Sequence, residues 1–168
     1  MEIITIVLRI IHIFSGVAWV GGAWAFVFYV EPTVHFLGPD GGKFMNYFIN
    51  VRRYPVYATT AAVLTVLAGW TLWFLRYGVP SLQTGAGLTF AIGGVLGLIA
   101  LGVGGAIVGP TATKLSALGQ EIAKGGKPPT PEQGAQIAAY QARMSSAGLW
   151  AAILAALAVL CMAIARYI

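Results

Sequence analysis

Apolar residues run through this chain in blocks of about 20, broken by short polar stretches. At 1.5 Å rise per residue, a helix needs about 20 residues to cross ~30 Å of hydrocarbon. Four segments meet that length: Ile3 to Val30, Pro55 to Leu75, Leu88 to Val108 and Ala147 to Ile164. Glu31-Pro32 is expected to close the first, because proline disfavours helical geometry in the residue before it. Gly38-Pro39-Asp40-Gly41-Gly42 then predicts a turn. Between Lys43 and Arg53, the spacing of Phe44, Tyr47, Phe48 and Val51 predicts a short interfacial helix. Gly78, Pro80, Ser81, Gly85 and Gly87 mark the next reversal.

The third span holds Gly93-xxx-Gly97 and Gly105-xxx-Gly109, a spacing of small residues that lets two helix backbones approach closely in lipid. Past Pro110, Leu115, Leu118 and Ile122 keep a helical period beside Lys114, Glu121 and Lys124, so this helix is expected to continue into water until Gly125-Gly126. Thr130, with Pro131 at N1 and Gln133 at N3, has the pattern of a capped helix start. The sequence therefore predicts an all-α integral membrane four-helix bundle, one domain over residues 1–168, in which helices three and four project as a short hairpin.

Composition agrees with lipid as the solvent. Of 168 residues, 58% are apolar and 9% charged, where a soluble domain carries about 25% charged residues. Orientation follows from the basic residues. Seven (Lys43, Arg52, Arg53, Lys114, Lys124, Lys127 and Arg143) fall in the connections between spans one and two and between three and four, against three (Arg9, Arg76 and Arg166) on the other side. The excess marks the cytoplasmic side, so both termini are expected outside and the hairpin in the cytoplasm of a cell whose inner membrane the chain crosses several times. The first span is too long for a signal-peptide core and is read as a mature helix. The net charge of +5 lies scattered among apolar runs, which gives no footprint for nucleic acid.

His12 is the one histidine inside a predicted span, about 13 Å along its helix. At 100° per residue, Arg9, His12, Gly16, Trp19 and Ala23 share a stripe. An ionisable pair beside a glycine notch is costly in lipid and points to function. It suits b-type haem: imidazole is an axial ligand, Gly16 makes room for a flat macrocycle, Trp19 can pack on it, and Arg9 can pair with a propionate. The plainer reading is a histidine that hydrogen-bonds a neighbouring helix, with Arg9 extending to headgroups. Helix four brings Cys161 and Met162 toward the depth of His12. The iron would be His/Met ligated through Met162, five-coordinate, or held between two copies of His12 across a dimer. His35 lies 23 residues on, beyond reach of the same iron, and reads as a surface group beside Glu31. His12, Cys161 and Met162 also form a soft set suited to Cu(I), a copper-handling alternative. One cysteine excludes an intramolecular disulfide and any CxxC site.

Trp24, Trp70, Trp73 and Trp150, with Tyr29, Tyr54, Tyr57, Tyr77 and Tyr167, read as aromatic belts near span ends. No hydrolytic set, HExxH or phosphate loop is present. Glu31 is the one acid near a span interior, which argues against a proton pump. The competing reading, ahead of copper handling, is a non-catalytic accessory or structural subunit of a larger membrane complex whose glycine faces pack against partner helices. The haem-binding chain is itself expected to be a homo-oligomer or part of a larger assembly.

The stretch Arg9-Ile-Ile-His12-Ile-Phe-Ser15-Gly-Val-Ala-Trp19-Val-Gly-Gly22 resembles the first-helix motif of small bacterial membrane proteins of the copper-resistance D type, of uncharacterised four-helix proteins similar to them, and of the membrane-bound protoporphyrinogen oxidase. Arg9, His12, Ser15, Trp19 and Gly22 match the oxidase pattern. Glu31-Pro32 through Gly38, Arg52-Arg53 and Ala68-Gly69 are more similar to the four-helix proteins. The resemblance implies that His12 is a haem ligand. The oxidase pattern places a proline and a further histidine earlier than Pro32 and His35 stand here, so haem binding carries over better than porphyrinogen oxidation.

Overall fold

A computed structural model describes residues 2–168, and among these every regular element is helical. Four helices are long and apolar enough to cross a membrane, which makes this a multi-pass membrane protein: α1 (Glu2–Phe36), α3 (Tyr54–Arg76), α4 (Gly85–Gly125) and α5 (Pro131–Tyr167). Between α1 and α3 lies the short α2 (39–51), and a 3₁₀ turn at Val79–Gln83 joins α3 to α4. α1 packs chiefly along α3 and α4 chiefly along α5, while further contacts link α3 to α4 and α1 to α5.

Two expected helix boundaries are corrected. Glu31-Pro32 does not end the first helix, which runs on to Phe36. Five residues ahead of that proline, Phe26–Val30, form a π-turn closed by the Glu31 amide donating to Phe26 O. α4 solves the same problem in the same way. Gly104–Val108 form a π-turn closed by Gly109 N–H on Gly104 O, just before Pro110. A proline ring collides with the carbonyl four residues back in an α-helix. A wider turn moves that carbonyl aside, and the helix passes through. The second correction concerns Gly38–Gly42. Only the residues around Gly38, at φ 54°, make the turn, and Pro39 already starts α2. α2 forms in the stretch where the spacing predicts a short helix and ends in a third π-turn, Tyr47–Val51, with Arg53 left-handed at φ 51° before α3.

The interior is built of small side chains. Ala62, Ala100, Ala152, Ala155 and Ala165 are all but inaccessible, whereas Ile3, Phe14 and Val17 are at least 70% exposed. In lipid, apolar side chains gain nothing by turning inward, so close packing by small residues holds helices together. Glycine does less of this than its spacing predicts. Gly93 meets Cys161 and Ala158 of α5, but a side chain on Gly97 or Gly105 would meet nothing within 4 Å.

The hairpin beyond the spans forms as the sequence predicts. Gly126, left-handed at φ 60°, ends α4, and Thr130 opens α5 with a capping box. Gln133 N–H donates to Thr130 Oγ1 at 3.3 Å, and Thr130 N–H to Gln133 Oε1 at 3.0 Å. Thr130→Ala is expected to cost ~1 kcal/mol in the first turn of α5. Amide hydrogen exchange at residues 132 to 134 should accelerate about fivefold with the spans unchanged.

Candidate functional site

All four long helices contribute to a cavity of about 430 Å³, lined by His12, Gly16 and Trp19 of α1, Thr65, Gly69 and Trp70 of α3, Phe90, Gly93, Gly94 and Gly97 of α4, and Ala155, Ala158 and Met162 of α5, with several valines. The volume lies within the range of small-molecule sites, roughly 300–1,000 Å³. Its lining is almost wholly apolar.

The chemistry of the cavity starts at the α1–α3 seam. In an α-helix the carbonyl of Thr65 points one turn onward, toward position 69. That position is glycine, and the His12 ring occupies the space a side chain there would take: a Cβ built on Gly69 would stand 2.6 Å from His12 Cε1 and 2.8 Å from Nδ1. The imidazole therefore reaches the α3 backbone, and His12 Nδ1 lies 2.8 Å from Thr65 O. A carbonyl oxygen only accepts, so the hydrogen sits on Nδ1. In the neutral ring this leaves a lone pair on Nε2, which has no hydrogen-bond partner among the described residues. Metal-ligating histidines are oriented in this way, one nitrogen donating to a carbonyl and the other left to coordinate.

A hydroxyl pair steadies the same seam. Ser15 Oγ donates to Ile11 O at 2.5 Å. Thr65 Oγ1 lies 2.9 Å from Ser15 Oγ and 2.7 Å from Ala61 O. Gly16 faces the Thr65 methyl, with 3.5 Å available for a Cβ. The plain reading of His12, a hydrogen bond to a neighbouring helix, thus holds for Nδ1 and leaves Nε2 uncommitted.

Of the predicted stripe, His12, Gly16 and Trp19 line this cavity. Trp19 and Ala23 line a second of about 210 Å³, with Tyr54, Gly104 and Met144. Arg9 is exposed and lines neither. Met162 shares the cavity with His12, as its predicted depth requires, whereas Cys161 does not line it and packs near Gly93. Among the described residues no three His, Cys, Asp or Glu side chains gather as a metal cluster. His35 is 60% exposed and 4.0 Å from Glu31, the surface position expected of it.

The belt reading needs correction at two tryptophans, Trp73 and Trp70, while Trp24 stays exposed and also ties α1 to α5. Trp73 is buried and donates from Nε1 to Gly87 O at 3.0 Å, tying α3 to the start of α4. Trp24 donates to Ala152 O of α5 at 3.2 Å. Trp70 lines the cavity. Sequence reasoning missed Thr65, Gly69, Trp70 and Gly97. Ala68-Gly69-Trp70, a glycine beside a tryptophan within a span, was the available signal. Trp150, Tyr29 and Tyr167 are largely exposed, as a belt requires. No family model, curated protein or solved structure matches this chain.

Proposed function

We propose that this protein is a b-type haem-binding membrane protein in which His12 Nε2 is the axial ligand, acting in electron transfer or tetrapyrrole handling. The observation that carries this reading is the Nδ1–H to Thr65 O bond, which fixes the ring and leaves Nε2 free at an apolar cavity. The fit extends to the walls. Glycines on three of the four helices line the cavity without side chains of their own. The notches at Gly69 and Gly94 seat the His12 and Trp70 rings, and Gly97 leaves its space open to an occupant. Bound haem would supply one-electron exchange at iron. The chain's own residues would hold the ring and exclude water. Met162 is the candidate for the second axial position. A four-helix bundle with both termini outside and the α4–α5 hairpin in the cytoplasm would put His12 in the outer leaflet. The first-helix resemblance supports the same assignment.

Protein expressed with haem supplied and purified in detergent should show a Soret band that shifts and sharpens on dithionite reduction. Colourless protein that co-purifies with larger subunits would instead favour the accessory role, and bound Cu(I) lost on changing Met162 would favour copper. Gly97→Leu adds a side chain where nothing lies within 4 Å, so the empty protein should fold. Against a filled cavity the overpacking is worth ~1–3 kcal/mol, about fivefold to over a hundredfold in haem affinity by titration.

A further inference from the structure

Trp70 Nε1 is buried and has no hydrogen-bond partner among the described residues. Trp24 and Trp73 direct their N–H groups to backbone carbonyls of other helices, so the contrast lies within one protein. Packing keeps Trp70 from finding such a carbonyl. Its ring lies 5.6 Å from that of Trp73 and 5.9 Å from that of Phe74. On the other side it lies against α4, where a Cβ on Gly94 would be 3.1 Å from Cζ2 and 3.5 Å from Nε1. A buried donor left unpaired costs about 1–3 kcal/mol, and this one belongs to a residue lining the cavity of His12. Of the other polar groups there, His12 Nδ1 pairs with Thr65 O and Thr65 Oγ1 with Ser15 and Ala61, while His12 Nε2 is left for the iron and Trp19 Nε1, unlike Trp70 Nε1, is not buried. Arg9, the residue expected to meet a propionate, lies outside the lining.

We propose that Trp70 is a binding residue of this cavity, donating its indole N–H to an oxygen atom of the occupant. The inference rests on the haem reading and assigns that site its polar contact. The shared chemistry is an oxygen acceptor, carried either by a carboxyl arm of the tetrapyrrole or by a diatomic molecule that takes the place of Met162 on the iron.

Trp70→Phe removes the N–H and keeps an aromatic ring against Trp73 and Phe74. In haem-free protein the thermal midpoint should stay level or rise, because an orphaned donor is gone. A tryptophan that served packing alone would lower it. For a carboxyl acceptor, haem affinity falls about five- to tenfold in the variant, while iron etioporphyrin, which has no carboxyls, binds both proteins equally. For a diatomic acceptor, haem affinity is unchanged and the C–O stretch of the ferrous carbonyl adduct rises. A second measurement uses the unaltered protein: the ultraviolet resonance Raman band sensitive to indole N–H bonding should move on loading with haem, or with haem and carbon monoxide. Haem bound equally by both proteins, with unchanged C–O stretch and Raman band, would overturn the role of Trp70 and leave His12 ligation standing. Unaltered protein that takes up no haem would overturn both.

Discussion

His12→Ala should leave the protein folded and unable to retain haem. Two magnitudes separate these effects. The Nδ1–H to Thr65 O bond joins two helices in lipid, where such bonds average about 0.6 kcal/mol, and Ser15 and Thr65 still bridge the seam. Disturbing even a partner of a ligating histidine weakens binding about 10–100-fold, so removing the ligand itself should exceed ~100-fold. Titration with haem in detergent, read at the Soret band, measures the loss. Circular dichroism and elution volume report the intact fold. Free imidazole in the buffer should restore part of the band, because the truncated side chain leaves its own volume in the cavity wall. Retention of the wild-type spectrum in His12→Ala would remove the haem assignment.

Gly69→Ala tests the same site from the opposite helix, with a residue that never touches the bound ring as a ligand. Its new Cβ would stand 2.6 Å from His12 Cε1, so the imidazole must swing out and give up Thr65 O. We expect haem affinity to fall about 10–100-fold, as for other disruptions of a ligand's orienting partner. Thermal stability of the haem-free protein should drop by ~1–3 kcal/mol through overpacking. The diagnostic result is non-additivity. In the His12→Ala background the methyl has nothing to meet, and Gly69→Ala should become close to neutral. A coupling of roughly 0.5–3 kcal/mol between the two positions is the signature of direct contact. Additive effects would mean that the imidazole does not occupy the notch at position 69.

The four spans were legible because each depends on one property, the length of an apolar run, which is local. The Thr130 cap and the Gly126 stop were legible for the same reason, since a cap is a contact among residues three apart. Helix continuity at proline was misjudged at Glu31-Pro32 and read correctly at Pro110, although the structure treats both alike with a π-turn. No local rule separates them. A proline disfavours the α-turn ahead of it, and whether the chain stops or widens depends on the helix beyond.

The site divides along the same line. His12, Gly16 and Trp19 could be grouped from sequence because one helix carries them at a fixed angular step, and Met162 could be placed beside them by depth. Arg9 lies on that step too, yet it is exposed and outside the cavity. An angular stripe locates a face without saying where the neighbouring helices end. Thr65, Gly69, Trp70 and Gly97 belong to other helices, and in lipid the usual guide to which face points inward is missing, because both faces are apolar.

What the chain determined by itself is its solvent, the number and length of its spans, the hairpin beyond them and the identity of the imidazole. The tertiary structure decided which nitrogen of that imidazole is committed. Thr65 O and the notch at Gly69 reach His12 from 53 and 57 residues away in the sequence, and only helix packing brings a carbonyl from that distance to within 2.8 Å of Nδ1. Periodicity reports the direction a side chain leaves its own helix, and a hydrogen bond requires the position of a second one.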